Sequence, residues 1–205
     1  MQQGSKLQKS FTLIELLVVV LIIGILATLV IVSVMSNLAK SRDAKRKADL
    51  KTIADALDMY YQKYGTYKVT YTDPSGSIIT CGNGNGEGVI NCIGCGGAYQ
   101  RSIDECLVRA GVIANFPADP LHKVASPGAN SQAYMLAFVR NKSNPSQLLY
   151  TKGVCLYARL ESVPAGQLAP EWDVLTSSAN QYPCPTGFTQ YGMNYVIRRL
   201  APSEE

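Results

Sequence analysis

Residues 11–35, FTLIELLVVVLIIGILATLVIVSVM, are apolar almost without interruption and carry a single ionisable side chain, Glu15. An α-helix rises about 1.5 Å per residue, so roughly 20 residues cross the hydrocarbon core of a bilayer, and this stretch is long enough. A helix apolar all round needs lipid or other helices of its own kind. The carboxylate narrows the reading further. An acid in such a segment costs about 2.5–3.5 kcal/mol at the bilayer centre and less near an end, so Glu15 is a functional group in need of a partner. The bland alternative is that it reaches back to the headgroup layer, although a glutamate stem is shorter than the lysine and arginine stems that do this well.

The flanking residues are Lys6 and Lys9, then the small Ser10, then Phe11-Thr12-Leu13-Ile14-Glu15-Leu16-Leu17-Val18-Val19-Val20. This run resembles the N-terminal signature of type IV prepilins and the related pseudopilins. The resemblance is specific from Lys6 to about Tyr64 and general in layout beyond it. It implies a leader over residues 1–10, cut between Ser10 and Phe11 by a membrane-embedded prepilin peptidase, with the new Phe11 amine then methylated. It also implies that Glu15 pairs with the Phe11 amine of a neighbouring subunit. A carboxylate and an ammonium attract strongly in a low-dielectric helix bundle, and either one alone is penalised there. The family usually has glycine before the cut, where this chain has Ser10. An ordinary secretory signal would place its cleavage site after the apolar run, so here the helix is expected to be retained. Lys40, Arg42, Lys45, Arg46 and Lys47 follow the segment and outnumber the leader lysines. A positive-inside count would keep the following domain in the cytoplasm, whereas the resemblance places it outside.

Downstream, residues 36–64 read as the same helix continued, without a proline, and Leu50, Ile53, Leu57, Tyr60 and Tyr64 recur on one face. Asp43 with Lys47 and Lys45 with Asp49 are spaced as exposed helix pairs, and Gly65 supplies a stop. The remainder, residues 65–205, is of ordinary domain size. Residues 66–115 are rich in glycine and cysteine and read as an insert with a loop or hairpin tip near Cys81, followed by a short helix within 98–110. An antiparallel sheet is expected over about 130–200, with strands at 132–140, 147–150, 154–160 and 192–200 and a turn at Asn144-Pro145. The proline-containing loop 161–187 resembles the variable, disulfide-closed C-terminal region of pilins.

The six cysteines are Cys81, Cys92, Cys95, Cys106, Cys155 and Cys184. An even count in an exported chain favours disulfides. The preferred set is Cys81 with Cys92, Cys95 with Cys106, and Cys155 with Cys184. The rival is a zinc site on Cys81, Cys92, Cys95 and Cys106, because Cys92-Ile93-Gly94-Cys95 has zinc-knuckle spacing. A thioredoxin-like centre lacks the surrounding βαβ pattern.

Little supports catalysis, and no enzyme is expected. The one histidine, His122, sits in a polar turn with no assignable nucleophile. The turn Phe116-Pro117-Ala118-Asp119-Pro120 is similar to one that precedes the sheet in major pseudopilins, near loops that bind calcium, but Asp104, Glu105 and Asp119 are too few oxygens for calcium on their own. No cofactor or metal is therefore expected. The net charge of +4 includes Lys6 and Lys9 in the leader, which argues against a dedicated nucleic-acid binder. Arg198 and Arg199 beside Tyr195 are a weak candidate for DNA contact and a better one for a charge-guarded strand edge. Trp172 is either a surface anchor or, more commonly for its type, a core aromatic.

The expected architecture is α+β: a pilin-like lollipop, with a long N-terminal helix, its hydrophobic half transmembrane, packed on a globular head with an antiparallel sheet. The expected function is that of a structural subunit of a type IV pilus, a helical homo-oligomer serving adhesion, twitching motility or DNA uptake. Its implied partners are the prepilin peptidase, the pilus assembly machinery, the membrane before assembly and a host or surface receptor. It would reside in the inner membrane as a precursor and on the cell surface once assembled. The alternatives are a type II secretion-like pseudopilin and, from another class, a membrane-anchored metal-binding or redox protein.

Overall fold

The computed structural model describes residues 12–83, 85–90, 102–121 and 134–204. Ser10, Phe11, Cys92, Cys95 and His122 lie outside the described residues. The fold is α+β: a long helix, α1 (Leu13–Tyr64), is followed by short strands and helices. These are β1 (Thr70–Thr72), β2 (Ile78–Thr80), β3 (Gly88–Val89), α2 (Ile103–Arg109), β4 (Met135–Phe138), β5 (Gly153–Ala158), α3 (Pro170–Thr176), a 3₁₀ turn (Gly187–Tyr191) and β6 (Tyr195–Leu200). Residues up to Lys40 form one compact unit and Ser41–Glu205 a second.

In the second unit, β3, β4, β5 and β6 lie side by side in one antiparallel sheet, and β1 pairs with β2 in a separate hairpin. The register sets Leu136 opposite Leu156 and Leu156 opposite Ile197, while Tyr157 lies opposite both Met135 and Val196. Successive side chains point to opposite faces of a strand, and both faces here are covered. One face (Leu136, Phe138, Val154, Leu156, Ala158, Tyr195) shares a core with Leu50, Ile53, Leu57 and Tyr60 of α1. The other (Met135, Ala137, Val139, Cys155, Tyr157, Val196) packs under Trp172 of α3 and Cys184. Two-sided burial explains why β4 and β5 read as continuous apolar runs rather than as an alternation. At the start of β5 a Cβ on Gly153 would come within 2.5 Å of the Arg199 carbonyl oxygen, so only glycine fits.

α1 ends where Gly65 turns to φ 69° and its N–H bonds the Tyr61 carbonyl at 2.7 Å, the conformation glycine adopts at no steric cost. Leu50, Ile53, Leu57 and Tyr60 are buried as their spacing predicts, whereas Tyr64 is 48% exposed, its ring lying against that of Tyr60. The expected strand at 147–150 is absent; only an isolated bridge joins Leu148 to Arg140. The insert carries three strands besides the expected turn, where Asn83 bridges Glu87, and the expected short helix, and β3 is an edge of the main sheet. The loop expected at 161–187 contains α3, whose Trp172 is a core residue at 2% exposure.

The disulfides differ in part from the preferred set. Cys155 bonds Cys184, whereas Cys81 bonds Cys106, its partner 25 residues away. Cys81 ends the β1–β2 hairpin and Cys106 lies on the inner face of α2, so the bond joins two elements that share the core rather than closing two local loops. With those two sulfurs joined, the four-thiolate zinc alternative loses half its ligands.

Candidate functional site

Two polar arrangements stand out on α1, one at its start and one at its entry into the head. At the start, Thr12 is the residue before the first helical position and Glu15 the third within it. The Thr12 N–H donates to Glu15 Oε2 at 2.9 Å and the Thr12 hydroxyl to the same oxygen at 2.8 Å, while the Glu15 N–H donates to Thr12 Oγ1 at 3.3 Å. This is a reciprocal capping box, T-x-x-E, which satisfies two of the orphan N–H groups at a helix start. The signature is plain in Thr12-Leu13-Ile14-Glu15, yet the sequence reading treated Glu15 only as an acid in need of an external partner. Oε2 is committed to Thr12, and Oε1 has no donor among the described residues.

Beyond the cap, the large side chains from Leu13 to Leu26 are exposed around the helix, among them Leu16, Leu17, Val20, Leu21, Ile23 and Leu26. The Thr28 hydroxyl is satisfied by the Ile25 carbonyl at 2.7 Å, and the helix runs unbroken past Gly24. By length and composition this helix is able to cross a membrane.

At the entry into the head the buried stripe of α1 continues backwards from Leu50 through Arg46 and Asp43, at 0% and 4% exposure. Arg46 is surrounded by carboxylates. Its Nε donates to Asp119 Oδ2 at 2.6 Å, its Nη2 to Asp119 Oδ1 at 3.2 Å, and its Nη1 to Asp43 Oδ1 at 2.8 Å and Glu161 Oε1 at 2.6 Å. Arg42 Nε donates to Glu161 Oε1 at 2.9 Å. Asp43 in turn accepts the backbone N–H groups of Glu161 and Ser162 at 2.8 and 2.7 Å. Nearby, the Tyr134 hydroxyl donates to Asp49 Oδ2 at 2.6 Å. One guanidinium thus joins α1 to two loops distant in sequence.

The electrostatics follow from this crowding. Burial alone would lower the Arg46 pKa, but its hydrogen bonds to Asp119, Glu161 and Asp43 raise it, so its charge is secure. Burial pushes the Asp43 carboxyl up, and the bonds from Ser162, the Glu161 N–H and Arg46 outweigh it and hold the pKa below its usual range. Glu161 is held low first by its bond to Arg42 and then by Arg46. Burial, followed by the bond to Asp49, raises the Tyr134 phenol.

The sequence reading paired Asp43 with Lys47 on an exposed face. Asp43 is instead buried against Arg46, and Lys47 lies 4.6 Å over the Tyr195 ring. The second expected pair, Lys45 with Asp49, is present at 3.1 Å. Asp119 of the proline turn is a ligand of Arg46, and no group of three or more metal-ligating side chains occurs among the described residues. Arg199 bonds Asp55 at 2.9 Å and Arg198 bonds the Tyr182 carbonyl at 2.8 Å, so both cations weighed for DNA contact are engaged internally.

Comparison with known proteins finds a family match that includes the first of these arrangements. Residues 5–33 match the family described as the prokaryotic N-terminal methylation motif. The type II secretion system core protein G of Pseudomonas aeruginosa is 55% identical over 53 residues, 26% of this chain and 37% of that protein. The core protein G of Escherichia coli is 45% identical over 53 residues, again 26% and 37%, and that of Vibrio cholerae 40% identical over 63 residues, 31% and 43%. The matched part of this chain therefore spans well under half the length of these relatives. No solved structure matches the chain. Residues 5–33 thus carry the N-terminal methylation motif of prepilins and pseudopilins, and in this part the chain is similar to the type II secretion core proteins G.

Proposed function

We propose that the chain is a structural, non-catalytic subunit of a secretion-type pseudopilus, polymerising through residues 13–35 of α1. The observation that carries this reading is the similarity to type II secretion core protein G from several bacteria, which runs through the methylation motif. Before assembly the apolar half-helix anchors the precursor in the membrane with its head outside. The prepilin peptidase cuts between Ser10 and Phe11, and the freed amine is methylated. The helices then leave the lipid and bundle, exchanging one apolar solvent for another. Van der Waals packing in such a bundle does not fix axial position, because aliphatic side chains slide past one another with little penalty. A charge pair does fix it. The capping box holds the Glu15 carboxylate at the helix start with Oε1 open, and a neighbour's Phe11 ammonium paired there sets one register per subunit, since an unpaired charge in hydrocarbon is costly.

A second reading, a surface type IV pilus with roles in adhesion, twitching or DNA uptake, is favoured by the Cys155–Cys184 bond that closes the C-terminal loops. Glu15→Ala tests the assembly mechanism shared by both: the variant is expected to insert normally and to be lost from filaments, and normal filaments from it would overturn the register argument. Deletion of the gene separates the two readings. Loss of protein secretion with surface filaments intact supports the pseudopilus, and loss of long surface filaments with secretion intact supports the pilus.

A further inference from the structure

Beside β6 the head carries an open cleft of about 760 Å³, bounded by the 163–168 loop on one side and by Thr189 and Gln190 on the other, with Leu160, Met193 and Asn194 at its base. That volume falls within the roughly 300–1,000 Å³ of ligand sites. Its walls are braced. The Asn194 side chain clamps both the N–H and the carbonyl of Leu160, at 2.7 and 2.9 Å, and its own carbonyl takes the Ala169 N–H at 2.8 Å. Asp43 of α1 holds the N–H groups of Glu161 and Ser162 where the loop begins.

The charged groups of the cleft differ in what they have left to offer. Glu161 is taken up by Arg42 and Arg46. Arg159 is exposed and has no carboxylate partner among the described residues. Gly192, at φ 76°, lies beside it; a Cβ there would be in ordinary contact with the Arg159 Cδ and Nη1, each at 3.7 Å. Around it stand the aliphatic Val163, Pro164 and Leu168, and no aromatic ring lines the cleft among the described residues. The backbone N–H groups of Ala165, Gly166 and Leu168 have no acceptor among the described residues.

We infer that this cleft is a binding site for an extended acidic peptide segment of a partner protein, with a carboxylate on Arg159 and a neighbouring aliphatic side chain against Leu168. A planar guanidinium fits a carboxylate bidentately, and free N–H groups along the rim suit a peptide backbone, as in other modes of peptide capture. An acidic glycan would meet the same cation but would find no ring on which to stack. The inference is independent of polymerisation, since it uses only the head.

The test is titration of the full chain in detergent micelles with a blocked pentapeptide alternating leucine and glutamate, its glutamine counterpart and an oligoglucuronate, read by calorimetry. Saturable binding of the acidic peptide is expected, at least fivefold weaker for the glutamine peptide and about tenfold weaker for Arg159→Gln. Leu168→Glu, a second exposed change, should weaken it as well, with the melting temperature of both variants unchanged. Equal binding of the two peptides, indifference to Arg159→Gln, or tighter binding of the oligoglucuronate would each overturn the assignment.

Discussion

Residues 13–35 and 41–64 belong to the same α1, yet they are built on opposite principles. The first half exposes Leu, Ile and Val all around its described turns, Leu13 to Leu26, and keeps its one charge in a capping box at the very end. The second half buries one side, 43-46-50-53-57-60 with Ala54 and Ala56 beside it, whose first two members are charged, and exposes mainly polar side chains elsewhere. Helix propensity does not separate the halves; solvent does. A helix that exchanges lipid for other copies of itself must be apolar all round and non-committal about azimuth. A helix fastened to one domain must be directional, and a buried arginine with three carboxylates supplies direction that aliphatic packing alone does not. Whether such a network adds net stability over an apolar substitute is a separate matter; removing one member of it is not.

The sharpest way to break this comparison is Arg46→Met. It strands Asp43, Asp119 and Glu161 around an uncharged side chain, and losing one partner of a buried network costs about 3–5 kcal/mol. Chemical denaturation of the full chain in detergent should show that loss in the head, while membrane insertion is unaffected. A smaller effect is expected from Cys155→Ser with Cys184→Ser, about 2–4 kcal/mol, read as a lower melting temperature of the head with no change in insertion. Acid should act more gently still. Asp43 and Glu161 have depressed pKa values in the folded state, so they contribute stability above the unfolded values of about 4 that is lost as pH falls through the folded ones. The denaturation midpoint should therefore drop below pH 4, and Arg46→Met should flatten that dependence. Smallest is Lys45→Ala, which removes the exposed pair with Asp49 and should cost no more than about 1 kcal/mol.

Much of this organisation is written in local pattern. The apolar run, the stripe from Leu50 to Tyr60 and the Gly65 stop follow from composition and period and are placed as read, and of the expected face only Tyr64 departs. The fastening of α1 to the head was not legible. Asp43 and Arg46 look like any exposed charges on a helix, and what buries them, Asp119 and Glu161, lies 73 and 115 residues beyond Arg46. Charge spacing along a helix carries no information about which charges a distant loop will cover. Of the cysteine pairs, Cys155 with Cys184 is as read, and the partner of Cys81 was missed for a similar reason: Cys81 and Cys106 meet because the hairpin and α2 share a core. Two signals were present and missed. Thr12-x-x-Glu15 is a capping box, and Pro170 at the first position of α3, with Glu171 and Asp173 in its first turn, is a helix start.

The account rests most heavily on the N-terminal module being processed and assembled, and intact mass with N-terminal sequencing of the native protein, from assembled filaments and from membranes, tests it directly. A chain beginning at N-methylated Phe11 and recovered in the filament fraction is the expected result. A chain still beginning at Met1 and confined to membranes would contradict it, because an uncut leader offers Glu15 no neighbouring amine to pair with.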